Sequence, residues 1–302
     1  MIKLAFLGLG VMGFPMAGHL SQAGYDISVY NRSPDKAQRW LEKHRGPIPL
    51  EDQTQIDGAA QSPTEAVRDA DIVFACVGDD NDLKDITIGE QGVFSCMKPS
   101  ALFVDHTTVS AEVTRELADI AAQNKLGYLD APVSGGQQGA ENGLLTVMVG
   151  GCEENFNVAK PVIQHYARAV TLMGPVGSGQ LCKMVNQICV AGLLQGLAEG
   201  LHFAKSAGLD AEQVVSVISK GAAQSWQMDN RYKTMLAGEY NHGFAVEWMR
   251  KDLSIALKEA SANDVELPVT KLVDQFYGDV QDLGGNRWDT SSLLARLETL
   301  NN

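Results

Sequence analysis

The sequence predicts an α/β protein. A doubly wound, mostly parallel sheet domain spans residues 1–175, and an all-helical domain follows over 176–302, joined to it by one long helix. Three observations carry this reading. A strand-like run at 2–7 leads straight into Gly8, Gly10 and Gly13, the G-x-G-x-x-G spacing. Short apolar segments then alternate with helical patterns, which calls for a parallel sheet with helices on both faces. Finally, the run Gly174-Pro175-Val176-Gly177-Ser178-Gly179 breaks the composition, and beyond it the apolar residues recur only at helical spacing.

The first element sets the chemistry. The strand at 2–7, the turn Gly8-Leu9-Gly10-Val11-Met12-Gly13 and a short helix over 14–24 make a Rossmann-type unit suited to a dinucleotide pyrophosphate. The first glycine permits the tight turn, the second lets backbone approach the phosphates, and the third lets helix and strand pack closely. The helix N-terminus adds free N–H groups and the positive end of its dipole. The second strand, 26–30, ends in Asn31-Arg32-Ser33. An NAD-specific domain of this kind carries an acidic residue about 20 positions after the glycines, on the ribose 2′-OH. No carboxylate stands there. Arg32 can clamp a 2′-phosphate, with Asn31 and Ser33 as further donors, so NADP is expected ahead of NAD. Asp35 lies past Pro34, in the next helix.

The polar segment 44–61, with Gly46, Pro47 and Pro49, has no period and reads as a surface loop without an assigned role. Strands follow at 71–77, 101–105 and 127–130, with a helix over 110–124, then strands at 145–149 and 169–173 around a helix at 153–166. Asp105 and Asp130 read as strand terminators rather than catalysts. From residue 179 on, Leu181, Met184, Val185, Ile188, Leu194, Leu197 and Leu201 mark a helix of more than twenty residues. Helices at 211–220, 246–263, 268–283 and 291–300 complete the chain, and no strand is needed after Met173.

Composition narrows the partners. Hydrophobic residues make up 45% of the 302 and charged residues 20%, ordinary for a globular protein. The net charge of −13, from 24 basic and 37 acidic residues, argues against nucleic acid or an anionic membrane surface. Five cysteines without a C-x-x-C pair argue against a disulfide framework or structural zinc, and fit a reducing compartment. No apolar run reads as a membrane span, and the glycine motif leaves no room for a removable presequence, so the cytoplasm is expected and no metal is.

Lys183 sits early in the long helix, with Asn186 and Gln187 three and four residues on, so the three share one helix face. A polar triplet on an otherwise apolar helix is a candidate site, and a lysine there can pass a proton to a carbonyl oxygen as hydride arrives.

Four stretches taken in order resemble the β-hydroxyacid dehydrogenase family: GLGVMGFPMAGHL at 8–20, DAPVSGG at 130–136, GSGQLCKMVNQ at 177–187 and KDL at 251–253. The resemblance covers nearly the whole chain. It implies that Lys183 is the catalytic lysine and that Ser134, Gly135 and Gly136 hold a substrate carboxylate, as a hydroxyl beside closely spaced N–H groups can. It implies that Thr107, Thr108 and Lys251 lie near the cofactor. The Asn186-Gln187 pair looks more like that of tartronate semialdehyde reductases. Related 6-phosphogluconate dehydrogenases carry histidine at the position of Asn186, and imine reductases of related fold usually replace the lysine. The resemblance therefore implies an NADP(H)-dependent enzyme that reduces a small semialdehyde acid or oxidises the matching hydroxy acid. An NAD-dependent 3-hydroxyisobutyrate or serine-type dehydrogenase is the alternative, and a non-catalytic dinucleotide-binding assembly module is the rival from another class. A long helix apolar on several sides, with Val190, Leu193 and Phe203 added to the residues above, predicts a homodimer or homotetramer joined through the helical domain.

Overall fold

The computed structural model describes residues 2–44 and 59–300. Most of the polar segment read as a surface loop, 44–61, lies outside the described residues.

Eight strands form one sheet: β1 Lys3–Leu7, β2 Asp26–Tyr30, β3 Ile72–Ala75, β4 Leu102–Asp105, β5 Gly127–Asp130, β6 Val133–Ser134, β7 Leu145–Gly150 and β8 Ala167–Gly174. The order is β2-β1-β3-β4-β5-β7-β6, with β8 also paired to β7. The first five run parallel. β7 is antiparallel to β5 and β6, and parallel to β8. The sheet is therefore mixed, with its parallel part carrying the amino-terminal half.

The period-two rule explains why these strands hold. Leu4, Phe6, Ile72, Phe74, Leu102, Val104 and Leu129 face one core. Ala5, Leu7, Val73, Ala75, Phe103 and Tyr128 face the other. Both faces are apolar, as a sheet covered by helices on each side requires. The helices α1 Gly13–Gln22, α2 Pro34–His44 and α7 Glu153–Ile163 supply Met16, Trp40 and Phe156 to the first core. The helices α3 Pro63–Val67, α4 Asp80–Ile88 and α5 Ala111–Gln123 supply Ala66, Leu83 and Leu117 to the second. A short helix α6, Gly136–Glu141, precedes β7.

The helical half comprises α8 Ser178–Ser206, α9 Ala211–Ile218, α10 Trp226–Ala237, α11 Val246–Ala262, α12 Pro268–Asp282 and α13 Leu293–Thr299. Its core gathers Leu194, Leu201, Met249, Leu253, Val273, Tyr277 and Leu294. The sequence reading omitted α10. That helix buries only Met228 and Met235, too sparse a pattern to show a face, and is defined instead by its ends. Ser225 caps the start by accepting from the Met228 N–H, and Gly238 at φ +68° closes it.

The contacts divide the chain into two compact units, Met1–Lys183 and Met184–Asn302. The division falls inside α8 rather than at the glycine-rich turn before it, because the first turn of α8 is bound to the sheet. By length and composition α8 could cross a membrane, contrary to the sequence expectation. The apolar content of a core helix overlaps that of a span, and Ala191, Leu194, Ala198 and Leu201 of α8 are buried in the helical core.

Candidate active site

The sequence-predicted residues of the first unit gather at the carboxyl ends of the parallel strands: Gly8 after β1, Asn31 after β2, Thr107 after β4 and Ser134 after β5. The strand order reverses direction between β1 and β3, where a crevice for a ligand opens in folds of this kind. The three glycines differ as their roles require. Gly8 has φ +95°, and a Cβ there would lie 2.3 Å from the Cys76 carbonyl oxygen. A Cβ on Gly13 would strike the Gly8 carbonyl oxygen. A Cβ on Gly10 would meet nothing within 4 Å, so this is where backbone faces open space and a pyrophosphate can approach. The loop fits a dinucleotide.

Asn31 braces that loop. Its Oδ1 accepts from the Leu9 N–H at 2.9 Å and its Nδ2 donates to the Ser33 carbonyl at 3.1 Å. Both ends of its side chain thus bond within the protein. Arg32 reaches outward, its side chain 86% exposed, and Nη1 lies 3.2 Å from Asp82 Oδ1. Asp82 is in the first turn of α4, and sequence reasoning gave no sign of it because the partners are 50 residues apart.

Thr107 is buried. Its N–H donates to Asp105 Oδ1, and its hydroxyl accepts from the Val77 N–H at 3.1 Å. It ties the loop after β3 to the loop after β4. Gln180, fully buried in the first turn of α8, clamps the same loop: Nε2 donates to the Thr107 carbonyl at 2.7 Å, and Oε1 accepts from the Val109 N–H at 3.2 Å. Thr108 is half-buried beside it.

Asp130 holds α8 from the other side. Its Oδ1 accepts from the Gly177 N–H at 2.8 Å and Oδ2 from the Gln180 N–H at 3.0 Å. Burial pushes the carboxyl pKa up, and these backbone donors oppose that. A carboxylate at a helix N-terminus is also favoured by the dipole. Gly179 admits no side chain, since a Cβ would lie 2.4 Å from the Met148 carbonyl oxygen. Lys183, one turn further on, is only 8% exposed. The lysine thus stands on a helix start fixed by Asp130, Gln180 and close packing. Asp130 is no mere strand terminator.

The loop after β5 is more structured than a simple turn. Val133 and Ser134 form β6 and pair with Val147 and Thr146 of β7. Gly135 and Gly136 follow at φ +132° and +62°, which L side chains rarely adopt. Ala131, at the root of the loop, is held by His106. The imidazole Nδ1 lies 2.6 Å from the Ala131 carbonyl oxygen, and Nε2 lies 2.8 Å from the Tyr166 hydroxyl. Burial lowers the His106 pKa to about 4 and raises that of Tyr166 well above its usual value. A carbonyl can only accept, so the neutral ring carries its proton on Nδ1 and takes the Tyr166 O–H on Nε2. Sequence reasoning passed over both residues.

In the helical unit, Asn186 and Gln187 meet a partner that sequence reasoning also missed. Gln187 Nε2 donates to Asp252 Oδ2 at 2.6 Å, and Asn186 Nδ2 donates to Gln187 Oε1 at 2.8 Å. Lys251 Nζ stands 3.2 Å from the other oxygen of Asp252 and 5.8 Å from the Trp248 ring centre. Asp252 and Gln187 are buried. Among the described residues no group of three His, Cys, Asp or Glu is placed to hold a metal.

Two family models together match almost the whole chain. The NAD-binding domain of 6-phosphogluconate dehydrogenase matches residues 3–174. The NAD-binding model of NADP-dependent 3-hydroxyisobutyrate dehydrogenase matches 177–297. An uncharacterized oxidoreductase of Shewanella frigidimarina is 60% identical over 298 residues, 99% of both chains. The 2-hydroxy-3-oxopropionate reductase of Escherichia coli K12 is 35% identical over 303 residues, covering 100% of this chain and 99% of its own. Among solved structures, the 3-hydroxyisobutyrate dehydrogenase of Mycobacterium tuberculosis with L-serine superposes with a TM-score of 0.84 at 27% identity, over 98% of this chain and 99% of its own.

Proposed function

Because the chain belongs to the β-hydroxyacid dehydrogenase family, and is an oxidoreductase using a nicotinamide dinucleotide on CH–OH groups, we propose that it reduces a small semialdehyde acid with NADPH. Tartronate, succinic and methylmalonate semialdehydes define the substrate class. The bound cofactor supplies the hydride to the carbonyl carbon. Lys183 donates its Nζ proton to the carbonyl oxygen as that oxygen gains charge, and recovers a proton from solvent afterwards. Ser134 and the backbone of Gly135 and Gly136 hold the substrate carboxylate, which orients the carbonyl for transfer. The observation that carries this reading is the buried Lys183 on a helix start held by Asp130 and Gln180.

The choice of NADPH is supported by the outward-reaching Arg32 just after β2, where the run Tyr30-Asn31-Arg32-Ser33 carries no carboxylate. A second reading is NAD-dependent oxidation of a 3-hydroxyisobutyrate or serine-type hydroxy acid. It is favoured by Asp82, which occupies the Arg32 guanidinium and adds negative charge beside it. A panel of small semialdehydes and β-hydroxyacids, each run with NADPH and NADH, separates the two. Turnover with NADPH and a semialdehyde acid at higher kcat/KM than any NAD(H) reaction is expected. Preference for NADH overturns the cofactor assignment, and no turnover with any pair returns the chain to a binding module.

The exposed apolar residues Val185, Leu193 and Phe203 of α8 support a homo-oligomer joined through the helical unit. A cytoplasmic setting suits the five free thiols.

A further inference from the structure

We propose that Asp252 is a positioning residue that sets the polarity of the Asn186 amide through Gln187. The inference rests on the reading of Asn186 as a group that faces the reaction.

A side-chain amide has a donor end and an acceptor end of nearly the same shape, so packing alone does not choose between its two orientations. A carboxylate does choose, because when ionised it only accepts. Asp252 Oδ2 accepts from Gln187 Nε2 at 2.6 Å, which turns Oε1 of Gln187 toward Asn186. That oxygen in turn accepts from Asn186 Nδ2 at 2.8 Å. The Asn186 carbonyl oxygen is thereby set on the branch away from Gln187. The lysine at 183 stands three residues before Asn186, on the same side of α8. An ammonium, which only donates, needs an acceptor there, and an NH₂ group in its place would repel it. The relay is buried at both Asp252 and Gln187, where a misdirected amide would leave polar groups unsatisfied. Lys251 Nζ, 3.2 Å from Asp252 Oδ1, places an opposite charge beside the carboxylate.

The logic can be reversed in place. Asp252→Asn removes the charge and lets both amides take either orientation. Adding Gln187→Glu restores direction, since the carboxylate introduced on α8 accepts from the amide introduced on α11 with one oxygen and from Asn186 with the other. The single variant is expected to lose roughly tenfold or more in kcat, with cofactor Kd unchanged and the circular-dichroism spectrum of the wild type. The double variant is expected to regain most of that loss. A single variant with wild-type kcat overturns the proposal, as does a folded double variant as slow as the single one. Should the single variant not fold, the double variant decides alone.

Side-chain amide NMR of the unliganded protein separates this proposal from the functional reading. The Asn186 resonances should move in Asp252→Asn and return in the double variant. Unmoved resonances overturn the relay whatever the enzyme turns over. Absence of turnover in the wild type with moving resonances overturns only the functional reading.

Discussion

The imidazole of His106 donates from Nδ1 to the carbonyl oxygen of Ala131 across 2.6 Å, in a fully buried site. This one bond joins the end of β4, which leads to Thr107, to the start of the Asp130–Gly136 loop, which leads to Ser134. The two loops proposed to meet cofactor and substrate are thereby tied at their roots.

Burial, which outweighs the opposing effect of this bond, keeps the ring neutral, and the pKa of about 4 sets the consequence for stability. An unfolded histidine titrates near 6.5. Above that pH both states are neutral and the contribution is fully present. As pH falls from 6.5 toward 4 the unfolded chain takes up a proton that the fold does not, and stability drops by about 3 kcal/mol before levelling off. Urea unfolding of wild type and His106→Gln across this range checks it. The difference between them should change by about that amount, and a pH-independent difference would show that His106 does not titrate as described.

Lys183→Ala should lower kcat by roughly 10²–10⁴, the range for a lost proton donor, while cofactor binding stays nearly intact. Stopped-flow turnover together with a fluorescence titration of NADPH measures both. A variant retaining most of its activity would remove Lys183 from its role.

Arg32→Ala should weaken NADPH by roughly one to two decades and largely spare NADH, as expected for one lost charge-assisted contact of about 1.5–3 kcal/mol. Asp82→Asn should act oppositely and more weakly. It frees an exposed guanidinium from a pair worth at most about 1 kcal/mol, so NADPH should bind up to about fivefold tighter. Equal losses for both cofactors in Arg32→Ala would mean that Arg32 reads no 2′-phosphate.

The helical unit leaves Phe203 of α8 70% exposed, with Val185 and Leu193 also exposed on that helix. Light scattering at micromolar concentration should give two or four times the 32.5 kDa of one chain. Phe203→Asp should shift the population toward smaller species. A wild-type mass near 32.5 kDa would end the assignment.

Much of the fold was legible because its signals are local. Gly8 and Gly13 stand where no side chain fits, Gly10 completes their spacing, and the strands around them alternate toward two cores. The helix read over 110–124 is α5, and Ser110 accepts from the Val113 N–H at its start. What stayed hidden lacked a local period. The two-residue strand β6 exists only because β7 lies beside it, and α10 buries too few residues to show a period.

The sequence by itself determined the doubly wound sheet, the glycine-rich loop, the long helix and the placement of Lys183 with Asn186 and Gln187. All follow from spacings within a few residues, where the chain's own geometry sets the neighbours. Only the tertiary structure decided which groups hold those residues. Asp82 meets Arg32 across 50 positions, His106 meets Tyr166 across 60, and Asp252 meets Gln187 across 65. A hydrogen bond between distant segments depends on where they meet in space, and no periodicity along the chain encodes that meeting.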